Sequence, residues 1–154
     1  MNALQGHKKA KKIAFNSKNK IRKLQKILKN LKNEKEDNKI IIFCRYNDTV
    51  KKISDKFLIL HITHKTDKEE RKEIMKKFKN GKYNSIVSAQ ILEEGVDVSS
   101  ANIGIILSGT GSPRELIQRI GRILRPDGKI ARIYEIISSK TNELNVRNKR
   151  WKKI

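Results

Sequence analysis

The sequence predicts an α/β protein, a mostly parallel sheet covered by helices on both faces. Three observations predict it. Residues 39–44, 85–89 and 103–107 are short, nearly continuous apolar runs, the pattern of strands buried on both faces. Segments with helical spacing of apolar residues separate these runs, and regular alternation of strand and helix implies parallel strands joined by crossovers. Finally, 154 residues of which 36% are hydrophobic suffice for one domain with a proper core.

Residues 1–15 are Lys-rich without a sustained pattern and read as a basic lead-in. A helix starts at Asn16 and Ser17, with Ile21, Leu24, Leu28 and Leu31 recurring at helical spacing. Residues 33–38 connect it to the strand Lys39–Cys44. Arg45-Tyr-Asn-Asp48 is a turn, with Asn47 or Asp48 as cap of a helix that buries Val50, Ile53 and Phe57. Residues 58–62 form the next strand. Thr66-Asp-Lys-Glu69 has the form of a capping box, opening a helix with Ile74, Met75 and Phe78 inward and Gly81 beyond its end. The strands 85–89, 103–107 and 130–137 follow. Residues 138–154 are polar and basic, a frayed helix or a tail. The main domain is therefore expected over 16–137. Ligands in such sheets gather at the carboxyl ends of the strands, where the loops 45–48, 88–98 and 108–112 would meet.

The stretch Ser108–Pro126 carries the strongest chemical pattern. Ser112, Pro113 and Glu115 give a helix start, and Pro126, Asp127 and Gly128 its stop. At about 100° per residue, Leu116, Ile117, Ile120, Ile123 and Leu124 share one side, while Arg114, Gln118, Arg122 and Arg125 line the opposite one. Like charges at this spacing repel, whereas planar guanidinium groups suit phosphate oxygens. By spacing alone the stripe is equally a solvated basic face.

Lys and Arg number 37 against 16 Asp and Glu, a net charge of +21. That excess points to nucleic acid or another polyanion, with a generally Lys-rich surface as the alternative. One Cys excludes an internal disulfide and favours a reducing compartment. The opening residues lack the apolar core of a secretory signal, and no apolar run approaches a membrane span. A soluble, intracellular protein is expected.

Gln118-Arg-Ile-Gly-Arg-Ile-Leu-Arg125 resembles the QxxGRxxR signature, motif VI, of superfamily 2 helicases. Ser88-Ala-Gln-Ile-Leu-Glu-Glu-Gly-Val-Asp97 resembles their motif V, and residues 39–48 sit where motif IV sits. The run 62–71, then Phe78 and Gly81, matches the segment between motifs IV and V. The wording is similar to archaeal XPB-type DNA repair helicases, including residues 13–21 and 134–138. The resemblance covers residues 10–150. It implies the C-terminal RecA-like domain, a P-loop NTPase-like three-layer fold, of an ATP-driven DNA helicase or translocase. ATP and magnesium would be held mainly by a separate N-terminal RecA-like domain. Gln118, Arg122 and Arg125 would face the nucleotide, with Arg122 or Arg125 as arginine finger. Gly95 and Asp97 would touch the ribose or transmit closure. Arg45, Thr63, His64 and Ser88 would contact the DNA backbone. The setting implied is the prokaryotic, archaeal cytoplasm, in association with the nucleoid.

The sequence departs from the family where Ser99 follows Val98 in place of proline and where His64 replaces a frequent glycine. It contains neither a GxxxxGK[ST] loop nor an Asp-Glu box, so the chain alone is not expected to hydrolyse ATP at a meaningful rate. Other candidates are weaker. Cys44 ends an apolar strand and reads as a small buried hydrophobe. His61 and His64 are three apart but lack the partners of a metal set. Tyr83 and Trp151 are isolated and make no stacking platform. Arg119 lies off the arginine stripe and suits a structural salt bridge. The competing function is a non-catalytic basic nucleic-acid-binding module.

Overall fold

The structure is a computed structural model and describes residues 4–6, 8, 9, 18–89, 100–107, 112, 114, 118, 121, 130–139 and 141–152. Among these, the elements in chain order are α1 (Lys18–Asn33), β1 (Ile40–Phe43), α2 (Asn47–Phe57), β2 (Leu60–Ile62), α3 (Lys68–Lys79), β3 (Ser85–Ser88), β4 (Ile103–Ile106), β5 (Arg132–Glu135) and α4 (Glu143–Trp151). The five strands form one parallel sheet in the order β2-β3-β1-β4-β5.

Burial explains the apolar runs. β1 is the central strand and β4 its neighbour, and all four residues of each are buried. Side chains alternate between two cores. Ile40, Ile42, Val87, Ile103 and Ile105 pack with Leu24 and Leu31 of α1 and Val50 and Ile53 of α2. On the other face Ile41, Phe43, Ile86 and Ile106 pack with Ile74, Met75 and Phe78 of α3. Burying each such large side chain contributes roughly 1.5–3 kcal/mol. Helices on both faces of a parallel sheet make the three-layer RecA-like architecture expected.

Element ends differ from the sequence expectation for identifiable reasons. Tyr46, with extended backbone and no side-chain cap bond, precedes α2, so neither Asn47 nor Asp48 is its cap. Asp67 rather than Thr66 caps α3, its Oδ1 accepting the Glu70 N–H at 2.8 Å. The Thr66 hydroxyl oxygen instead closes the preceding turn by accepting the Thr63 N–H at 2.9 Å. β2 starts at Leu60 rather than residue 58, because Leu58 takes the left-handed conformation (φ 54°) that ends α2. β5 starts at Arg132, whose N–H donates to Asn102 O, while Ile130 is 84% exposed.

The segment 138–154, expected as a frayed helix or tail, contains α4, which is tied to the body at both ends. Glu143 pairs with Lys20 of α1 at 2.6 Å. At the other end Arg150 pairs with Glu135, and Trp151 Nε1 donates to Glu135 Oε2 at 2.8 Å. At the amino edge of the sheet, Arg132 holds Glu34 through two bonds of 2.9 and 2.5 Å, and this contact keeps the Glu34 carboxyl below its usual range. Among the described residues no helix is long and apolar enough to cross a membrane.

Leu58 supplies a test of local strain. It is 89% exposed, so its side chain stabilises little, yet a non-glycine residue in this conformation costs about 1–2 kcal/mol. Leu58→Gly removes that cost and adds back about 0.5–1 kcal/mol of unfolded-state freedom. The expected net gain is about 0.5–1 kcal/mol in chemical denaturation; a loss of that size would contradict it.

Candidate nucleotide and nucleic-acid edge

The parallel register brings the strand ends into one row. Ile62 pairs with Ser88, Ser88 with Phe43, Phe43 with Ile106, and Ile106 with Glu135. One further rung locks the exits: Ala89 N to Ile62 O at 3.3 Å, Cys44 N to Ser88 O at 2.8 Å, Leu107 N to Phe43 O at 3.0 Å and Ile136 N to Ile106 O at 2.9 Å. β1 is followed in sequence by β2 on one side of it, and β4 by β5 on the other, so the strand order reverses direction between β1 and β4, a topological switch point.

This row gathers the candidates for nucleic-acid contact. Ser88 is buried at the end of β3, between the exits of β2 and β1. Arg45 is exposed one residue past Cys44, its guanidinium 5.9 Å from the Tyr46 ring centroid. Thr63 and His64 follow β2 in a tight turn, where Thr66 N donates to Thr63 O at 3.1 Å and Lys65 N to Thr63 Oγ1 at 3.2 Å. Asn47 Nδ2 meets His64 Nδ1 at 2.9 Å, which joins the loops after β1 and β2. With the Asn47 amide as donor, Nδ1 is the accepting ring nitrogen and Nε2 the N–H of that tautomer. Thr63 Oγ1 likewise retains a proton to donate. Arg45, His64 and Thr63 thus offer guanidinium, imidazole N–H and hydroxyl donors, a set suited to phosphate oxygens rather than to a metal cation.

Of the nucleotide candidates, Gln118 is described: it is helical and exposed, as are Arg114 and Gly121. A Cβ added at Gly121 meets nothing within 4 Å, so close packing among the described residues does not require glycine there. Arg122, Arg125, Gly95 and Asp97 lie outside the described residues, as does Arg119. Cys44 is fully buried, and His61 is exposed on β2 with its Nδ1 3.0 Å from Ser54 Oγ.

Three residues behind the edge escaped the sequence reading. Arg71 of α3 reaches back to the carbonyl oxygens of Thr63 and Thr66, both at 3.4 Å, and braces the His64 turn. Asn47 was expected as a cap and instead orients His64. Lys20 is 3% exposed; its ammonium donates to Leu107 O at 3.1 Å and to Glu143 Oε1 at 2.6 Å. Glu143 Oε2 also accepts the Ser138 N–H at 2.7 Å. Desolvation lowers the Lys20 pKa, opposed by the Glu143 contact. Lys20 therefore fixes the exit of β4, immediately before the loop that leads to the arginine stretch. Its helical phase was a readable signal, since residues 20, 24 and 31 share the buried side of α1.

A groove of about 580 Å³ lined by Leu28, Leu31, Ile40, Phe57 and Ile59, among others, lies at the opposite, amino end of the strands. Its apolar floor is rimmed by polar and charged residues such as Lys29, Lys32, Glu36 and Asp37, and it is separate from the donor row.

Sheet order and helical layers on both faces define a RecA-like domain. The helicase conserved C-terminal domain family matches residues 19–127, and the chain belongs to that family, as the C-terminal domain of a superfamily 2 helicase. It is 43% identical over 138 residues to the DNA 3'-5' translocase XPB2 of Sulfurisphaera tokodaii, covering 90% of this chain and 30% of that protein. Among solved structures, the Pyrococcus furiosus Hef helicase domain aligns with a TM-score of 0.66 at 27% identity, over 84% of this chain and 28% of that one. The E. coli DEAD-box protein SrmB aligns with a TM-score of 0.73 at 17% identity, over 83% and 76%, a likeness of fold alone. The chain spans 30% of the length of the XPB2 translocase that it matches.

Lys20 and Glu143 should behave as a coupled pair. Lys20→Met leaves a nearly buried carboxylate without its cation, which costs about 3 kcal/mol. Adding Glu143→Gln, which still accepts from Ser138, should recover more than half of that loss in urea denaturation. A double variant no more stable than Lys20→Met would show that the two do not act together.

Proposed function

We propose that this domain is the second half of an XPB-type, ATP-dependent DNA helicase or translocase, with residues 16–137 and the α4 segment docked on them as the working unit after a basic lead-in. The supporting observation is that one sheet edge carries a row of phosphate-suited donors; Arg114, Gln118 and Gly121 are helical and exposed. ATP with magnesium, held mainly by an N-terminal RecA-like domain, supplies the phosphoryl group.

When the two domains close, Arg122 and Arg125 face the γ-phosphoryl. Their fixed charge offsets the negative charge that spreads over its oxygens in the transition state. Gln118 orients the reacting groups from one helical turn earlier. Gly95 and Asp97 contact the ribose side and pass closure to the DNA-binding row. There Arg45, Thr63 and His64 hold the backbone, whereas Ser88, expected as a fourth contact, is 2% exposed and does not reach it directly; Arg71 keeps the His64 turn in place as the domain moves. Contacts to phosphate carry no sequence information, which suits a motor that steps along any DNA.

Mixing this chain with the matching N-terminal domain and DNA should give DNA-stimulated ATP hydrolysis. Arg122→Ala and Arg125→Ala should each lower kcat by about 10³-fold or more without changing the chain's melting behaviour. Hydrolysis within about twofold of the original in both variants would end this reading. Gly121→Ala provides a dissociation of stability from activity. Alanine at an exposed helical glycine should stabilise the isolated chain by up to about 1 kcal/mol. The same methyl should impair the two-domain ATPase, because it faces the closing cleft. Unchanged ATPase activity would place Gly121 away from that cleft.

A further inference from the structure

α1 turns Lys20, Leu24 and Leu31 into the body. Its other basic residues, Lys18, Arg22, Lys23, Lys26, Lys29 and Lys32, are exposed. At about 100° per residue, Lys18, Arg22, Lys26, Lys29 and Lys32 fall within an arc of about 120°, and at 1.5 Å rise they span about 21 Å. The 16-residue helix contains no acidic residue. Like charges at these spacings weaken a helix. Of the basic residues of α1, only the buried Lys20 pairs with a carboxylate among the described residues.

α3, on the opposite face, shows what the same Lys-rich chain does elsewhere. Glu69, Glu70 and Glu73 are interspersed among its basic residues, with Lys72–Glu69 at 2.9 Å and Lys77–Glu73 at 2.5 Å. A general lysine bias therefore does not account for α1. The position of the stripe matters as well. The bond from Lys20 to Leu107 O puts the first turn of α1 at the carboxyl edge of the sheet. The pairing of Glu34 with Arg132, the first residue of β5, puts its end at the amino edge. The charges thus run from the donor row down the length of one face.

We infer that this face of α1 is a second phosphate track, which holds duplex DNA beyond the carboxyl edge. It extends the DNA path of the proposed function and rests on that reading for its partner. Phosphate is matched by spacing and sign, and the rows of charge are long enough for several contacts on one backbone.

The test measures binding of the whole chain to a duplex of about 20 base pairs by fluorescence anisotropy across a salt series. Arg22→Gln/Lys26→Gln/Lys29→Gln should reduce the log–log salt slope by about 2.7, that is 0.9 for each of three lost contacts. Affinity at about 50 mM salt should fall by about tenfold or more. The control removes equal charge from the opposite face: Lys68→Gln/Lys72→Gln/Lys76→Gln should shift the slope by less than about one. Equal losses in the two triple variants, or no change of slope in the α1 variant, would overturn the inference. Polyglutamate of matched length, if it loses affinity for the α1 variant as duplex does, would overturn the assignment to DNA. Circular dichroism confirms folding, and the single reversal Lys26→Glu gives the same reading if the triple variant does not fold. An ATPase indifferent to Arg122→Ala removes the motor reading and leaves this binding result in place.

Discussion

The central constraint is the parallel register around β1. A strand paired on both sides has no freedom to slide, and β1 is buried on both faces as well. A shift by one residue would exchange Ile40 and Ile42 with Ile41 and Phe43 between the two cores. Because that exchange is costly, Ser88, Phe43 and Ile106 stay level. The residues that follow them leave the sheet from one line, and residues distant in sequence become neighbours in space.

A level row only matters if the loops leaving it are also held. Here the structure uses a few polar braces rather than further apolar packing. Arg71 grips the carbonyls of the Thr63–Thr66 turn, Asn47 joins that turn to the loop after β1, and Lys20 grips the carbonyl of Leu107. Each brace comes from a helix that the core already fixes, so burial of Leu24, Val50 or Ile74 is carried through to loop position. α4 joins the same scheme, since Glu143 completes the Lys20 site and Glu135 anchors its far end.

The fold was legible because its signals are local. Apolar runs marked β1 and β4, and helical spacing marked α1 and α3. The ends were less legible because they depend on competition for hydrogen bonds: Thr66 closes a turn where it was expected to cap a helix, and Leu58 takes a conformation usually left to glycine. For the edge, sequence named positions and the structure supplies their placement only among the described residues. Motif wording pointed to Arg45, Thr63, His64 and Ser88, and the register supplies the reason they converge. Lys20, Asn47 and Arg71 were missed for a different reason. Their partners lie 87, 17 and 8 or 5 residues away, and no spacing rule connects a lysine to a backbone carbonyl across the sheet.

The distribution of the 16 acidic residues explains how so basic a chain stays folded. Several stand at joints: Glu34 and Glu36 at Arg132, Glu135 at Arg147 and Arg150, and Glu143 at Lys20. Others neutralise α3 locally. Charge is therefore balanced where elements meet, while on the outer face of α1 it is left in excess. Self-repulsion on that face would be screened by salt over about 8–10 Å, and it would be relieved more fully by a polyanion that releases its own counterions on binding. A surface built this way would bind a polyanion most tightly at low ionic strength. The joints, with their charges paired at short range, respond less to the same change of salt.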